Sequence, residues 1–343
     1  MRPLLHDPFS SLSTYLVVFA LLFILELIYF RIAVKYDIID VPNDRSSHSR
    51  VTLQGGGVII WFAALLYLSS YVSYEVIWAF TGITLIAAIS FIDDLVGLRQ
   101  KKRLAVHFMA ITCAFIASNF FSLYPWWTII ISYIGFVGII NVYNFMDGIN
   151  GITSLYTISV LLSLQYVNLY MHPFVSPDMI WYLVIACIIL LIFNFRKYAK
   201  CFPGDVGSIT IAFWVVYLFL LLVLKTNNLI WFGFLMLYGV DGGGTILHRI
   251  YMGENIIRPH RIHFFQLLSN ERGIPQRIVS LTYFVTQAIV SALIIWLYPI
   301  VGWWVFVVIL VALMTGYIWK FKLMKEHGLR VLRNEPPTTV YSK

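Results

Sequence analysis

The chain has 343 residues, of which 60% are hydrophobic and 12% charged, and its formal net charge is +8. A soluble domain has about 45–50% apolar and about 25% charged residues. This composition therefore excludes an ordinary soluble enzyme and points to an all-α, polytopic membrane protein. Cys113, Cys187 and Cys201 form no Cys-x-x-Cys pair, which argues against a disulfide framework or a thiolate metal site.

A spanning helix needs about 20 mostly apolar residues. The first such run begins near Ser11 and continues to Ala33. It lacks a basic start and a small-residue cleavage site, so it reads as a retained helix and not as a signal peptide. Eleven runs qualify in chain order: 12–33, 56–74, 76–92, 104–123, 126–143, 150–170, 180–195, 209–224, 229–247, 279–298 and 301–320. Several are short or closely spaced, so ten or eleven transmembrane helices are expected. They form a single catalytic domain over 1–343, with a cytoplasmic tail from about residue 321.

With the N-terminus outside, every Lys and Arg except Arg2 and Lys225 lies on the inner side, as the positive-inside rule requires. That placement accounts for the net charge through orientation and anionic membrane lipid, without nucleic acid. The outer connections are mostly short, whereas the inner ones are long and polar. Chemistry on a soluble substrate is expected on the cytoplasmic face.

Five inner segments carry chemistry-bearing side chains. The first contains Arg45, Ser46, Ser47 and His48, then Gln54-Gly55-Gly56-Gly57. Hydroxyl and basic groups before glycines suit an anion, because glycine lets backbone N–H groups approach a phosphate; a solvated juxtamembrane loop is the competing reading. The second places Asp93-Asp94 at a helix end before a basic cluster that finishes at Arg103. Adjacent carboxylates there must be hydrated, paired or metal-bound. The third, Asn141 to Gly151, spaces Asn141, Asn144 and Asp147 three residues apart. On a continuing helix, consecutive members are neighbours, and such oxygens suit Mg²⁺. The fourth, Phe202-Pro203-Gly204-Asp205-Val206-Gly207-Ser208, opens an apolar run, where Asp205 either caps the helix or faces a metal. The fifth holds Arg258, His260, Arg261, His263 and Gln266. Its fixed positive charge suits a diphosphate. A carboxylate-rich set and a basic set on one face together describe phosphoryl transfer at a membrane surface.

From about Asp40 to Gln266 these motifs resemble the polyprenyl-phosphate N-acetylhexosamine-1-phosphate transferases, within glycosyltransferase family 4. The adjacent-aspartate motif matches Asp93-Asp94, and the signature Asn-x-x-Asn-Phe-x-Asp-Gly matches Asn141 to Gly148. Gly-Asp-x-Gly-Ser matches Gly204 to Ser208, and the histidine motif matches His260 to His263. The resemblance implies a UDP-N-acetylhexosamine donor, an undecaprenyl phosphate acceptor, and a site on the inner face of the bacterial cytoplasmic membrane. It implies Mg²⁺, with Mn²⁺ as an alternative, at Asp205 and Asn144. It implies that Asp93 or Asp94 activates the lipid phosphate and that Asp147 serves the nucleotide, sugar or metal shell. Substrate contacts are expected from Ser46, His48, Arg103, Asn141, Arg258, His260, Arg261 and His263. A homodimer is compatible with this reading.

The chain has Asn150 where the family often has a second aspartate, so no acid–base role is expected there. Gly97 stands where the branch using UDP-MurNAc-pentapeptide typically has lysine. The motifs look closer to the branch that starts O-antigen, enterobacterial common antigen or capsule assembly. UDP-GlcNAc is the default donor, with UDP-FucNAc and UDP-QuiNAc as alternatives. Three other classes compete: a secondary transporter, an aspartate-rich prenyltransferase and a membrane scaffold. A transporter would place coupling residues near the midplane between repeats, and a prenyltransferase would need a second aspartate-rich motif.

Overall fold

A computed structural model gives the conformation of residues 8–42, 50–255 and 260–333, and of their side chains from Leu12 onward. The first half runs α1 (Pro8–Lys35), β1 (Ile39–Asp40), β2 (Thr52–Leu53), α2 (Val58–Ser70), α3 (Tyr74–Val96), α4 (Gln100–Ala117), α5 (Phe120–Leu123) and α6 (Trp126–Met146). The chain continues with α7 (Ile152–Tyr170), α8 (Pro177–Asn194) and α9 (Gly204–Thr226). After a 3₁₀ turn over Leu229–Leu235 come α10 (Met236–Tyr238), a π turn at Gly239–Gly243 and α11 (Gly244–Tyr251). Then follow α12 (Phe264–Gln266), a second π turn at Leu267–Glu271, α13 (Gln276–Val301) and α14 (Trp304–Glu326). The protein is an all-α, multi-pass membrane protein.

Among the described residues, nine helical segments are long and apolar enough to cross a membrane. The two remaining apolar runs fall outside that set for local reasons. α2 has 13 residues, or about 20 Å of helix against roughly 30 Å of hydrocarbon. α4 begins with Lys101, Lys102 and Arg103 and stops before Asn119, whose backbone is left-handed (φ 56°). The run expected over 104–123 is thus a helix, a break and a single turn. The segment Leu229–Tyr251 also differs from a regular span, passing through 3₁₀, α and π geometry.

α9 is the central helix, buried along nearly its whole length. α3 packs against it and against α4. Gly82 permits this contact: a β-carbon there would lie 2.8 Å from the Phe213 ring and 2.9 Å from the Ala110 carbonyl oxygen. The outward faces of α1, α6 and α14 expose apolar side chains such as Leu16, Ile134 and Val308, as helices facing lipid require. The core is one continuous apolar cluster that includes Tyr156 of α7, Leu183 of α8, and Phe213 and Trp214 of α9.

The tail expected from about residue 321 is partly structural. α14 continues to Glu326, and Leu323, Met324, Leu329 and Val331 are buried with Met252, Ile262 and Leu267. Apolar residues spaced along that segment draw it back over the loop that carries the histidines.

Candidate active site

The site begins where two distant loops zip together. β1 and β2 pair antiparallel, and Leu53 also bridges to Cys201. The Leu53 carbonyl accepts the Phe202 N–H at 2.8 Å. Gly56 and Gly57 donate to the carbonyls of Phe202 and Pro203 at 3.0 and 2.9 Å. The Gly56 and Gly57 N–H groups, expected at a phosphate, are therefore engaged with backbone. Gly57 instead allows close approach: a β-carbon there would overlap the Gly207 backbone and lie 2.6 Å from the Pro203 oxygen.

This zipper sets the start of α9 against the end of α3. Asp94 Oδ1 accepts the Asp205 N–H at 2.9 Å, and Oδ2 accepts the Val206 N–H at 3.0 Å. Gln54 donates its amide to the same Oδ1 at 2.8 Å. Asp205 does not cap its own helix; Asp94 does so from 111 residues away. Neighbouring Asp93 points elsewhere. Its Oδ1 accepts the Leu98 N–H, and its Oδ2 pairs with Arg103 Nη1 at 2.5 Å. Arg103 Nη2 reaches Asp205 Oδ2 at 3.0 Å, so one guanidinium joins both acids.

Asn144, in the last turn of α6, donates its amide to Asp205 Oδ1 at 2.8 Å and to Ser208 at 3.1 Å. Its carbonyl oxygen then remains for a cation. Among the described residues, no group of three or more His, Cys, Asp or Glu side chains is arranged to hold a metal. Asp205 and Asn144 fit a different kind of site. Mg²⁺ is commonly held by one or two protein oxygens, with substrate phosphates and water completing its shell.

Two cavities meet at Asn144 and Asp205. One, of about 290 Å³, is strongly polar and lined by Asp147, Asn150, Asn194, Gln266 and Gln276, with Phe202 as its aromatic wall. The other, of about 440 Å³, is lined by Arg103, His107, Asn141, His260 and His263 beside apolar Leu98, Leu104 and Phe145. Asp147 follows the end of α6, and its Oδ1 accepts the Thr153 hydroxyl at 2.7 Å. Burial raises its carboxyl from the ordinary 3.8 to about 7. The Thr153 bond opposes that shift, while the charges of Asp205 and Asp94 add to it.

The remaining expected residues divide. Asn141 lines the second cavity but donates its amide to the Val137 carbonyl at 2.8 Å. His260 and His263 face each other, Nε2 to Nε2, at 3.0 Å. Arg261 turns toward Glu271 at 4.0 Å and lines neither cavity described above. Ser46, His48 and Arg258 lie outside the described residues. Asn150 is structural in its contacts: its N–H donates to Gln276 at 3.0 Å and its amide to the Arg196 carbonyl at 2.8 Å.

Sequence reading named Gln54 only as the start of a glycine run and missed Asp241 and Arg249. Gln54 carried no signal beyond its glycine neighbours. Asp241 did, being an acid inside the apolar run 229–247. It is buried, accepts the N–H groups of Phe264 and Phe265 at 2.8 and 3.2 Å, and accepts the Tyr283 hydroxyl at 2.7 Å.

The acids, the two asparagines and their cavities lie mainly on α3, α4, α6 and the start of α9. Residues 76–223 match the family described as glycosyl transferase family 4. The matched segment contains Asp93, Asp94, Arg103, Asn141, Asn144, Asp147 and Asp205, and ends before the histidines. The match supports a polyprenyl-phosphate sugar-1-phosphate transferase in general, which takes a nucleotide-sugar donor within a membrane. No curated protein matches the chain.

Proposed function

We propose that the protein transfers an N-acetylhexosamine 1-phosphate, by default GlcNAc 1-phosphate, from its UDP-sugar to undecaprenyl phosphate. The products are UMP and a lipid-linked diphosphate sugar that initiates a cell-surface polysaccharide. The observation that carries this reading is the meeting of two unlike cavities at Asn144 and Asp205. The polar one offers amides for hydrogen bonds and the Phe202 ring for a nucleobase face. The other combines Arg103 with apolar walls, which suits a phosphate on a hydrocarbon chain. A reaction joining a cytosolic donor to a lipid acceptor needs both, one on each side of the reacting phosphorus.

In the proposed displacement a lipid phosphate oxygen attacks the sugar-bearing β-phosphorus. A new P–O bond forms, the bond to the UMP oxygen breaks, and UMP leaves with that electron pair. Mg²⁺ held by Asp205 and Asn144 would neutralise charge on the diphosphate. Arg103, already joined to Asp93 and Asp205, adds fixed positive charge and holds the reactants in register. Asp93 is the better candidate to receive a proton from the lipid phosphate. Asp94 is committed to three N–H donors, two at the start of α9 and one from the Gln54 amide. In this reading the site faces the cytoplasm across a bacterial inner membrane with the N-terminus outside; the distribution of basic residues supports that orientation.

The test uses purified protein in lipid nanodiscs with a panel of UDP-N-acetyl sugars, detecting the lipid product by mass. UMP release that requires both undecaprenyl phosphate and Mg²⁺ is the expected result. Repeated turnover without acceptor, or no release with any donor, would overturn the reading. A labelled enzyme intermediate trapped without acceptor would replace direct displacement by a two-step route.

A further inference from the structure

His263 lines the second cavity and Gln266 the first, although they are neighbours on one turn. They hold each other in a capping box. The His263 side chain accepts the Gln266 N–H, and Gln266 Oε1 accepts the His263 N–H at 3.3 Å. The two N–H groups between them go to one carboxylate: Asp241 Oδ1 accepts from Phe264 at 2.8 Å and Oδ2 from Phe265 at 3.2 Å. We infer that Asp241 is a positioning residue, which by taking these two N–H groups fixes α12 as a bridge presenting His263 to one substrate cavity and Gln266 to the other.

A helix opens with N–H groups that its own turns cannot satisfy. At α12 the N–H groups of His263, Phe264, Phe265 and Gln266 are all taken by side chains, so none is left for a phosphate. The element therefore acts through where it holds its side chains. Gly148 lets it sit against the turn that carries Asp147. A β-carbon there would lie 3.0 Å from Gln266 Nε2 and 3.0 Å from the Phe265 ring.

Asp241 is held in turn by buried groups from three other elements. It is 1% exposed, and it accepts the Tyr283 hydroxyl of α13 at 2.7 Å and the Thr245 hydroxyl of α11 at 3.4 Å. Lys320 of α14, wholly buried, donates to Thr245 Oγ1 at 2.6 Å and to the Tyr317 hydroxyl at 2.7 Å. A carboxylate shut away from water needs such partners, and Lys320 supplies the balancing charge. α11, α13 and α14 thus converge on the residue that sets α12. This role deepens the transferase reading and rests on it, with His263 on the acceptor side and Gln266 on the donor side.

Hydrogen exchange of the full chain in nanodiscs, read by mass spectrometry on overlapping peptides across 260–270, tests the cap without turnover. The Phe264 and Phe265 amides should be protected in the wild type. In Asp241→Asn, which leaves one oxygen acceptor for two N–H groups, they should exchange roughly 10-fold faster. Unprotected amides in the wild type, or unchanged protection in the folded variant, would overturn the inference. The transfer assay reads the bridge. Asp241→Asn should lower kcat about 100-fold and raise the KM of both substrates. Gln266→Glu keeps the capping box but loses the amide donor, and should raise the donor KM alone. In the double variant Gln266→Glu should add no further rise, because Gln266 has already lost its placement. A donor KM equal to the product of the two separate effects, or less active protein with both KM values unchanged, would make Asp241 purely structural and sink the bridge. Should Asp241→Asn fail to fold, Tyr283→Phe withdraws one bond from the same carboxylate. It should speed exchange at Phe265 more than at Phe264 and raise both KM values, and no change in either readout would overturn the inference. Exchange does not depend on turnover, so an inactive protein with the expected protection would count against the transferase reading alone.

Discussion

Asp94 caps the helix that carries Asp205. Its two oxygens accept the N–H groups of Asp205 and Val206 at 2.9 and 3.0 Å, which ties the orientation of one acid to the ionisation of the other. Asp94→Ala should lower stability by about 1–2 kcal/mol, the usual size of a lost helix cap. It should also abolish transfer, because Asp205 loses its placement. Thermal melting of the purified variant with an Mg²⁺ titration checks this. An unchanged melting temperature would remove the capping role, and full activity would remove the residue from the site.

Arg103 is the cation that Asp93 and Asp205 share. Arg103→Met leaves two nearby carboxylates without it. Because the guanidinium is 23% exposed, the loss is expected at the lower end for such pairs, on the order of 1–3 kcal/mol. Transfer should fall about 100-fold or more, as for other lost electrostatic contacts. Added Mg²⁺ should stabilise the variant more than the wild type, since it would supply the missing charge. Equal Mg²⁺ stabilisation in both proteins would contradict a shared role.

Asp147 makes the metal-free protein sensitive to pH. Its carboxyl is raised from 3.8 to about 7 in the folded chain, so the folded state holds its proton longer than the unfolded state. Stability from this residue is fully present below about pH 4. It declines as pH rises to about 7, and then levels off. Asp147→Asn should flatten that part of the melting-temperature profile. Parallel wild-type and variant profiles across this window would refute the assignment.

The two cavities should respond to different substitutions. Phe202→Ala should raise the donor KM about 10-fold, since stacking of a base on an aromatic ring is worth ~1–3 kcal/mol. The acceptor KM should stay nearly constant. Leu104→Trp, in the second cavity, should show the reverse. Initial rates with each substrate varied in turn separate the two, and equal effects on both constants would mean that the cavities do not divide the substrates.

Much of the bundle was legible because hydropathy is a local property. α3, α6, α7, α8, α9, α13 and α14 all coincide with apolar runs within a few residues to a turn or so at their ends. Asp93, Asp94, Asn144 and Asp205 were legible as polar groups at helix ends, where a membrane protein has little reason to keep them without a partner. The roles within that set were not. Nothing in the order Asp93-Asp94 says that one side chain turns to Arg103 and the other to the start of α9. That division depends on a helix terminus supplied from another part of the chain.

The same distinction holds for the whole protein. By itself the sequence determined the membrane class, the helix positions and the group of residues that share one end of the bundle, because transfer of apolar segments out of water depends on composition along a short stretch. Only the tertiary structure decided that Gly56 and Gly57 serve backbone packing, that Arg103 links two acids, and that Asp241 and Arg249 bracket the histidines. Hydrogen bonds and close approaches are chosen within tenths of an ångström between segments many residues apart. Their partners exist only once the helices have packed.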